Sequence, residues 1–349
     1  MSSAQKITQD FEAWLHQQIP IVDADLKTKH QLMADNEFSF FRATYYLWLV
    51  RAAEQVPDVL TVSSTPIVGD LHTANFGTWR DESGDIRWGV NDLDELSRGP
   101  WLLDLLRLAV SAVISPNIQL KPKDIIDVLL ETYTSAEVAP SPRISDNKHL
   151  AALVPKFKDT DAFFRKLDAG EVTTDVPPTV REAAESDVEA PWSPTWHARE
   201  AGAGSLGHRR VVGVGTTSSG WAAREAKQLG PGTAVWAHAR DARLPVTAPD
   251  LYGEVVHGLG APASAVRIDG WQLRALAPEE VRIDLSRLAA GDETRVLRSM
   301  ATVIAGVHGV DLAALAAAQH EAAALDRDVF HGYMKTMEQT IQQDFENSR

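Results

Sequence analysis

Polar side chains in the first third of the chain have the types and the spacing that phosphoryl transfer requires. Asp70 follows an apolar run and Gly69, Asn75 comes five positions later, and a second acidic segment carries Asp92 and Asp94. Phosphoryl transfer needs a carboxylate beside the attacking hydroxyl, and an amide oxygen and a second carboxylate that hold Mg²⁺ on the phosphates. Asp70, Asn75 and Asp92 are candidates for these three roles.

A short hairpin is the element that must bring the two acidic segments together. Two β-prone runs flank the polar residues 81–85, and Gly84 inside such a turn indicates a β-hairpin. Because the two ends of a hairpin lie side by side, Asp70, Asn75 and Asp92 are predicted to converge. The alternative is that these residues form ordinary turns, in which Asp, Asn and Gly are common.

The composition limits the classes of protein to which the chain can belong. Its 349 residues are long for a single core and favour two lobes. The absence of cysteine excludes disulfides, thiolate metal ligands and cysteine nucleophiles, and the net charge of −14 argues against nonspecific nucleic-acid binding. No apolar run reaches the length of a membrane span, and residues 1–6 lack a signal-peptide core. We therefore expect a cytoplasmic protein that binds neither nucleic acid nor membranes; the composition indicates no particular oligomeric state.

A glycine-rich run opens the second half of the chain. Gly202, Gly204 and Gly207 satisfy G-x-G-x-x-G, with Ser205 inside the motif. The run precedes two predicted antiparallel strands within 211–228, so it lacks the strand-to-helix context of a dinucleotide-binding fold. A glycine loop between β-strands, placed over nucleotide phosphates, fits this context instead.

Basic side chains after this run are candidates for phosphate binding, because kinase-like proteins carry a lysine on a nearby strand. Lys227 follows Gly207 by 20 residues and Arg224 precedes Lys227 by three, so on a regular strand they point to opposite faces. We rank Lys227 first, and the alternative is that both are solvated strand charges. Glu254, on a predicted helix at 246–258, is a candidate ion-pair partner for the lysine unless it is a surface charge.

Most of the remaining chain is predicted to be helical from its apolar spacing and its proline positions. Predicted helices cover residues 4–19, 24–34, 38–55, 99–111, 122–132, 150–168, 292–309 and 311–347, and predicted strand segments cover 59–68 and 267–276. Residues 170–200 hold four prolines among many acids and are predicted to be linker-like. We expect a helical lobe with the acidic loops at 1–200, a small β-rich nucleotide lobe at 201–276, and C-terminal helices at 277–349 that complete the helical lobe.

Charged residues in two of the predicted helices have open roles. Arg42 lies in an aromatic stripe, where we expect a surface or salt-bridging role in preference to contact with an anion. Asp104 is expected either to cap backbone donors of a neighbouring loop or to pair with a cation such as Arg107.

The acidic motifs resemble those of a known group of enzymes. Residues 69–75, Gly-Asp-Leu-His-Thr-Ala-Asn, look like the catalytic loop of aminoglycoside phosphotransferases and their kinase-like relatives, although Val68 stands where their leading histidine is expected. Residues 91–94, Asn-Asp-Leu-Asp, resemble their metal-binding segment, and Asp104 resembles the Asp of their downstream G-x-x-x-x-D-L-A.

More of the chain, from about residue 38 to 310, is similar to the bacterial domain-of-unknown-function family 2252. The segments that carry this resemblance are residues 40–42, 69–77, 91–95, 99–111, 202–207, 224–226 and 304–308. Ala43 replaces the glycine that follows F-F-R in this family, and Arg224 replaces its usual lysine. The second departure leaves both Arg224 and Lys227 open as the phosphate-binding residue.

These resemblances imply an α+β, two-lobed, protein-kinase-like fold with a small antiparallel β lobe and a larger helical lobe. The acidic loops precede the glycine-rich run, which is the reverse of the order in ordinary kinases, so we predict a circular permutation. The implied function is an ATP- and Mg²⁺-dependent phosphotransferase that acts on an unknown acceptor, for which a small molecule is preferred to a protein. Asp70 would orient or deprotonate the acceptor, Asn75 and Asp92 would hold Mg²⁺ with Asp94 in support, and Gly202, Gly204, Ser205, Gly207, Arg224, Lys227 and Glu254 would bind the nucleotide.

Two other classes of function stay open. A non-catalytic nucleotide-binding pseudokinase or a nucleotidyltransferase is compatible with the missing histidine before Gly69 and with the uncertain lysine. A metallophosphoesterase is a lower-ranked alternative, since Asp70-x-His72 and the nearby acids are potential ligands for two metal ions.

Overall fold

The structure is a computed structural model that describes residues 2–155, 159–188, 191–199, 207–248, 251–261 and 265–348. Within these ranges the chain has an α+β fold, as predicted. The α-helices are α1 (Ser3–Gln18), α2 (Asp23–Asp35), α3 (Glu37–Ala43), α4 (Tyr45–Gln55), α5 (Trp101–Val113), α6 (Pro122–Ser135), α7 (Lys148–Leu153), α8 (Thr160–Asp168), α9 (Pro178–Ser186), α10 (Thr233–His238), α11 (Leu251–Gly258), α12 (Glu293–His308), α13 (Leu312–Ala324) and α14 (Arg327–Ser348). The strands are β1 (Ser64–Ile67), β2 (Phe76–Arg80), β3 (Ile86–Val90), β4 (Ser97–Pro100), β5 (Thr195–Ala198), β6 (Arg210–Thr217), β7 (Gly220–Gln228), β8 (Val266–Ile268) and β9 (Trp271–Ala275).

The strands of the described ranges form small antiparallel sheets. β1 pairs with β4, β2 pairs with β3, and the others form a five-stranded sheet in the order β5-β6-β7-β9-β8. The β2–β3 pair is the predicted hairpin, with Phe76 opposite Val90 and Arg80 opposite Ile86. Gly84 in its turn has a φ of +87°, a conformation that glycine adopts without steric cost. The ends of this hairpin lie together, so the acidic segments before and after it are neighbours.

The largest core lies among the helices and surrounds α5, which is buried along almost its whole length. Burial of one leucine side chain contributes about 1.5–3 kcal/mol, and α5 alone buries five leucines. Trp101 at its start stacks on Tyr133 of α6, with ring centroids 5.4 Å apart. Asp104 and Arg107 are also fully buried on this helix. Because buried charges require specific partners, the contacts of these two residues identify the part of the molecule to examine for a functional site.

The five-stranded sheet is covered on both faces. Neighbouring residues of β6, Val211 and Val212, belong to different apolar clusters because side chains alternate across a strand. α9 packs through Val180 on one face, and α8 packs through Phe164 on the other. The strands β6 to β9, which follow the glycine-rich run, are therefore packed against helices that precede it.

The prediction that residues 170–200 are linker-like is wrong. They contain α9 and β5, and β5 is an edge strand of the five-stranded sheet. Pro178 occupies the first turn of α9, where the missing N–H of proline costs nothing. Trp196 of β5 is buried in the sheet core. The prolines here begin elements rather than mark a linker.

Some predicted helices are divided in the structure. Residues 38–55 form α3 and α4, separated at Thr44, whose φ and ψ of −126° and 43° are not helical. Residues 311–347 form α13 and α14, with Leu325 extended between them. Within 150–168 the chain forms α7 and α8. None of the helices in the described ranges is both long and apolar enough to cross a membrane.

The two predicted strand segments also differ in detail. The segment at 267–276 is the β8–β9 hairpin, which turns at Asp269 and Gly270, both with positive φ. The start of the segment at 59–68 belongs to the 3₁₀ helix Pro57–Leu60, and only its end forms β1.

Candidate functional site

The loop between β1 and β2 contains Asp70, and its backbone is hydrogen-bonded to α5. Asp104 accepts hydrogen bonds from Val68 N at 2.7 Å and Gly69 N at 3.0 Å, so it caps this loop, one of the two roles predicted for it. His308 Nε2 lies 3.3 Å from the same carboxylate. Gly69 has a φ of +82°, and a Cβ there would lie 2.6 Å from Glu95 O. The loop therefore requires glycine at this position.

Arg107 holds Asp70 in position. The guanidinium Nη2 donates to Asp70 Oδ1 at 2.5 Å and to Phe41 O at 3.0 Å. Arg107 is fully buried, and its guanidinium lies 4.0 Å from the centroid of the Phe41 ring. Burial raises the pKa of Asp70 above its ordinary value, and Arg107 acts against this rise. A carboxylate fixed in this way is suited to orient a substrate hydroxyl.

Asn75 joins the two acidic loops, which are the loop between β1 and β2 and the loop between β3 and β4. Its Nδ2 donates to Asp70 O and to Asp92 O, each at 3.1 Å. Its backbone carbonyl accepts from Asn91 N at 2.9 Å. Since the amide nitrogen is used by two carbonyl groups, the Oδ1 atom is the part of the side chain that is suited to bind a cation. The predicted convergence of Asp70, Asn75 and Asp92 is present in the structure.

Asp92 and Asp94 meet a lysine of the five-stranded sheet. Lys227 Nζ lies 3.7 Å from Asp92 Oδ1 and also forms an ion pair with Asp94 Oδ2. Arg282 Nη2 lies 3.7 Å from Asp92 Oδ2. Burial disfavours ionisation of Asp92, but the surrounding cations, Lys227 foremost, hold its pKa at about 2. Burial lowers the pKa of Lys227 to about 8, although Asp92 acts in the opposite direction.

Arginines of the same sheet line a small cavity beside Asp92. Arg210 of β6 and Arg274 of β9 bind Glu225 of β7 at 2.8 Å and 2.9 Å, and Arg199 also pairs with this glutamate. The cavity has an empty volume of about 370 Å³, and its lining includes Asp92, Lys227 and Arg282. The sheet contributes three cations and one carboxylate to this lining. This excess of positive charge makes the cavity suitable for an anionic ligand such as a phosphate.

A second, larger cleft borders Asp70. It has an empty volume of about 1170 Å³, and its lining includes Asp70, Asn75, Asp92, Asp94 and Glu95 together with residues of α1, α2 and β7–α10. Glu95 accepts from Thr233 N and Thr233 Oγ1, both at 2.7 Å, and burial raises its pKa to about 7. The two cavities meet at Asp92 and Asp94, which line both.

The glycine-rich run reaches this cleft at its described end. Gly207 lines the cleft and its carbonyl accepts from Val22 N at 3.0 Å. The predicted phosphate-binding residues Gly202, Gly204 and Ser205 lie outside the described residues.

The structure distinguishes the remaining predicted nucleotide-binding residues. Lys227 lines the small cavity beside Asp92, whereas Arg224 points to the other face of β7 and binds Asp187 Oδ2 at 2.6 Å. The open choice between the two cations therefore favours Lys227. Glu254 is exposed on α11, and the salt bridges of Lys227 in the described ranges are to Asp92 and Asp94. Of the two interpretations of Glu254, the candidate ion pair with the lysine is therefore wrong and the surface charge is correct.

The donors at Asp92 fit a magnesium ion that is shared with phosphates. Mg²⁺ usually takes one or two carboxylates from the protein and completes its shell with water and phosphate oxygens. Asn75 Oδ1 and the ionised Asp92 provide oxygen ligands of this kind. The buried Asp94 Oδ1 has no hydrogen-bond partner among the described residues, so it is suited to accept from a metal-bound water. The described ranges hold no group of three or more His, Cys, Asp or Glu side chains arranged as a metal site.

Sequence reasoning missed part of the site. Arg107, Glu95 and Arg282 have contacts in the site, although none was predicted as a site residue. Lys29 is buried in the wall of the cleft and had no motif that would identify it. Arg42, for which a surface or salt-bridging role was preferred, lines the cleft and has no salt bridge in the described part of the chain. For Arg107 the available signal was its place in the segment 99–111.

The fold and the site define an α+β protein in which two acidic loops face a basic sheet across a cleft. Residues 21–190 match the model of a bacterial family described as "Uncharacterized protein conserved in bacteria (DUF2252)". The matched stretch includes both acidic loops and α5, and it ends before the glycine-rich run. The comparison with curated proteins gives no match, and the comparison with solved structures gives none either.

Proposed function

We propose that the protein is an ATP- and Mg²⁺-dependent phosphotransferase with a circularly permuted, protein-kinase-like fold. The observation that carries this proposal is the meeting of Lys227 with the Asp70–Asn75–Asp92 group: the sheet lysine lies 3.7 Å from Asp92, and Asn75 bonds to both acidic loops. These groups come from segments that are more than a hundred residues apart in sequence.

The arrangement of the strands supports the proposal. In protein kinases a glycine-rich loop covers the phosphates, and the phosphate-binding lysine lies on the third strand. Here the glycine-rich run connects β5 to β6, and Lys227 lies on β7, the third strand of the sheet counted from β5. The helices α1 and α14 lie side by side, because Arg51 bonds to Ser3 Oγ of α1 and to Asp344 of α14. Adjacency of elements that are distant in sequence is what a permutation requires.

The residues have distinct roles in the proposed reaction. A bond forms between the acceptor oxygen and the γ-phosphorus as the bond to ADP breaks, and the hydroxyl proton passes to Asp70. Arg107 keeps Asp70 in position, and Lys227 binds the phosphates in place of Asp94. Magnesium, held by Asn75 and Asp92, would neutralise charge on the phosphates. Arg210, Arg274 and Arg282 add positive charge around them.

Replacing Asp92 by Asn tests this proposal. The change removes a negatively charged metal ligand with little change in shape, so we expect Mg²⁺-dependent ATP binding to fall at least tenfold. Isothermal titration of ATP with and without Mg²⁺ measures this. Glu82→Gln, on an exposed position of the hairpin between the acidic loops, is the matched control and should bind as the wild type does. Equal Mg·ATP affinity in the Asp92→Asn variant would refute the metal site.

One observation favours a second candidate, a nucleotide-binding protein that does not transfer phosphate to an acceptor, or one that transfers the nucleotidyl group. Lys227 is engaged by Asp94 in the structure, so phosphate binding must compete with an existing ion pair. Product analysis separates the candidates. Phosphotransfer yields ADP, nucleotidyl transfer releases pyrophosphate, and a non-catalytic protein leaves bound ATP intact.

A further inference from the structure

Two cations in the wall of the larger cleft, Lys29 and Arg42, form no salt bridge with a carboxylate among the described residues. Lys29 of α2 is 9 % exposed, and in the described part of the chain no carboxylate lies within salt-bridge distance of its Nζ. Its ammonium lies over the Tyr46 ring, 5.9 Å from the ring centroid. Arg42 of α3 has a buried Nε without a hydrogen-bond partner among the described residues. Both side chains line the cleft that contains Asp70.

The acids that act on Lys29 from a distance are already engaged elsewhere. Glu12 lies 2.6 Å from His30 Nε2, Asp70 is bound by Arg107, and Glu95 is bound by Thr233. These three carboxylates raise the pKa of Lys29, but burial outweighs them and lowers it. Each of these carboxylates bonds to another group, and none forms a salt bridge with Lys29 among the described residues.

An unpaired buried cation is costly, since desolvation disfavours the charge and no ion pair compensates for it. A cation is retained in such a place most readily when a ligand supplies the missing anion. We propose that Lys29, assisted by Arg42, binds the anionic group of the phosphate acceptor, which is a small organic molecule with a hydroxyl group and a carboxylate or phosphate. This inference rests on the proposed function, because it assigns the acceptor half of the same cleft.

The rest of the cleft wall indicates the body of this molecule. Apolar side chains of α1, α2 and the segment between them face the cleft: Phe11, Trp14, Leu15, Ile21 and Leu26. The Tyr45 hydroxyl is buried in the same wall without a hydrogen-bond partner among the described residues. An amphipathic acceptor with an apolar or aromatic body would cover this wall and place its polar groups at Asp70, Lys29 and Tyr45.

Small aromatic probes test the anion subsite without knowledge of the acceptor. Benzoate, phenyl phosphate and benzylamine are titrated by calorimetry at constant ionic strength into the wild type, Lys29→Met, Arg42→Met and Lys27→Met. Lys27 lies exposed on the same helix and is the matched control. We expect an anionic probe to bind the wild type and Lys27→Met alike, and to bind about tenfold more weakly or less to Lys29→Met. Tighter binding of benzoate would indicate an acceptor with a carboxylate, and tighter binding of phenyl phosphate would indicate one with a phosphate.

The inference is overturned if neither anion binds the wild type, if benzylamine binds best, or if Lys29→Met binds the anions as the wild type does. Melting temperatures verify that Lys29→Met is folded; we expect it to be at least as stable as the wild type, because methionine removes an unpaired buried charge.

Titration of Mg·ATP into the same proteins separates this inference from the proposed function. We expect Lys29→Met to bind Mg·ATP normally and benzoate to bind without competing with Mg·ATP. Loss of Mg·ATP binding in Lys29→Met would assign Lys29 to the nucleotide and refute the acceptor site. The protein could instead bind anions through Lys29 and yet bind no Mg·ATP. That result would refute the phosphotransferase proposal and retain the anion site.

Discussion

Lys227 is the residue on which the two halves of the site depend. It belongs to the five-stranded sheet, yet its ion pairs are with Asp92 and Asp94 of the acidic loops. Burial and neighbouring arginines lower its pKa, while Asp92 raises it, and the result is a pKa of about 8. Its charge therefore changes within an accessible pH range, unlike that of an exposed lysine.

The pH dependence of nucleotide binding follows from this pKa. The protonated lysine is the form that binds phosphate, so Mg·ATP affinity is expected to be full below pH 7 and to fall as the pH rises through about 8. Lys227→Arg keeps its charge throughout this range because the guanidinium pKa exceeds 12. Calorimetric titrations from pH 6.5 to 9.5 should therefore show a decline in the wild type and a flat profile in Lys227→Arg. The same decline in both proteins would assign the titration to another group.

At this scale the sequence predicted the acidic residues but not all of their partners. Asp70, Asn75 and Asp92 were identifiable because a loop–hairpin–loop of fixed length brings them together. Glu254 was a candidate partner of Lys227, with a surface charge as the preferred alternative, and the partners are instead Asp94 and Asp92. Lys29 could not be found, since burial depends on how α1 and α2 pack and no local pattern records it.

The loop that carries Asp70 is an element whose shape is set from two sides. The Asp104 carboxylate of α5 accepts hydrogen bonds from two backbone N–H groups of the loop, and Glu95 O lies directly against Gly69. Positive φ and the lack of space for a Cβ coincide at this glycine. Gly84 in the hairpin turn shares the positive φ, but the nearest atom to its hypothetical Cβ is Arg80 Nη1 at 3.9 Å.

These two glycines allow conformational cost to be separated from steric cost. Gly84→Ala should destabilise the protein by about 1–2 kcal/mol, the cost of a left-handed conformation at a residue with a Cβ. Gly69→Ala should cost about 3 kcal/mol or more, because its Cβ must also displace the backbone at Glu95. Urea unfolding of both variants measures the difference. Equal losses would mean that the loop adjusts freely and that the contact with Glu95 O has no role in its shape.

At the level of elements, prediction succeeded where a pattern was local. The β2–β3 hairpin and α5 follow from a turn signal and from a continuous apolar helix. The linker-like interpretation of 170–200 was wrong because the apolar residues that bury α9 and β5, such as Val180 and Trp196, pack against a sheet formed by later residues. Contacts between distant segments are not visible in local composition.

In the folded molecule the five-stranded sheet lies beside the acidic loops, although its strands follow these loops in the chain. Fold class was predictable because both kinds of element are present in the sequence. The position of Lys227 beside Asp92 depended on the resemblance, since no local pattern relates residues so far apart in sequence. If the site is a permuted version of a kinase-like arrangement, its geometry should not depend on where the chain begins.

A rearranged chain tests this independence. Gln5 of α1 and Ser348 of α14 line the same surface groove, and a flexible linker of about ten residues spans roughly 17 Å, so the two ends can be joined. New ends are opened between Val188 and Pro191, which puts β5 and the glycine-rich run ahead of the acidic loops, in the order of ordinary kinases. We expect this protein to fold with a melting temperature within about 5 °C of the original chain carrying the same linker as a tail, because the contacts of the native core are retained. We also expect its Mg·ATP affinity to equal that of the tailed chain and to be lost with Asp92→Asn. A folded rearranged chain that fails to bind Mg·ATP, when the tailed chain binds it, would mean that the site depends on chain order and would refute the permutation.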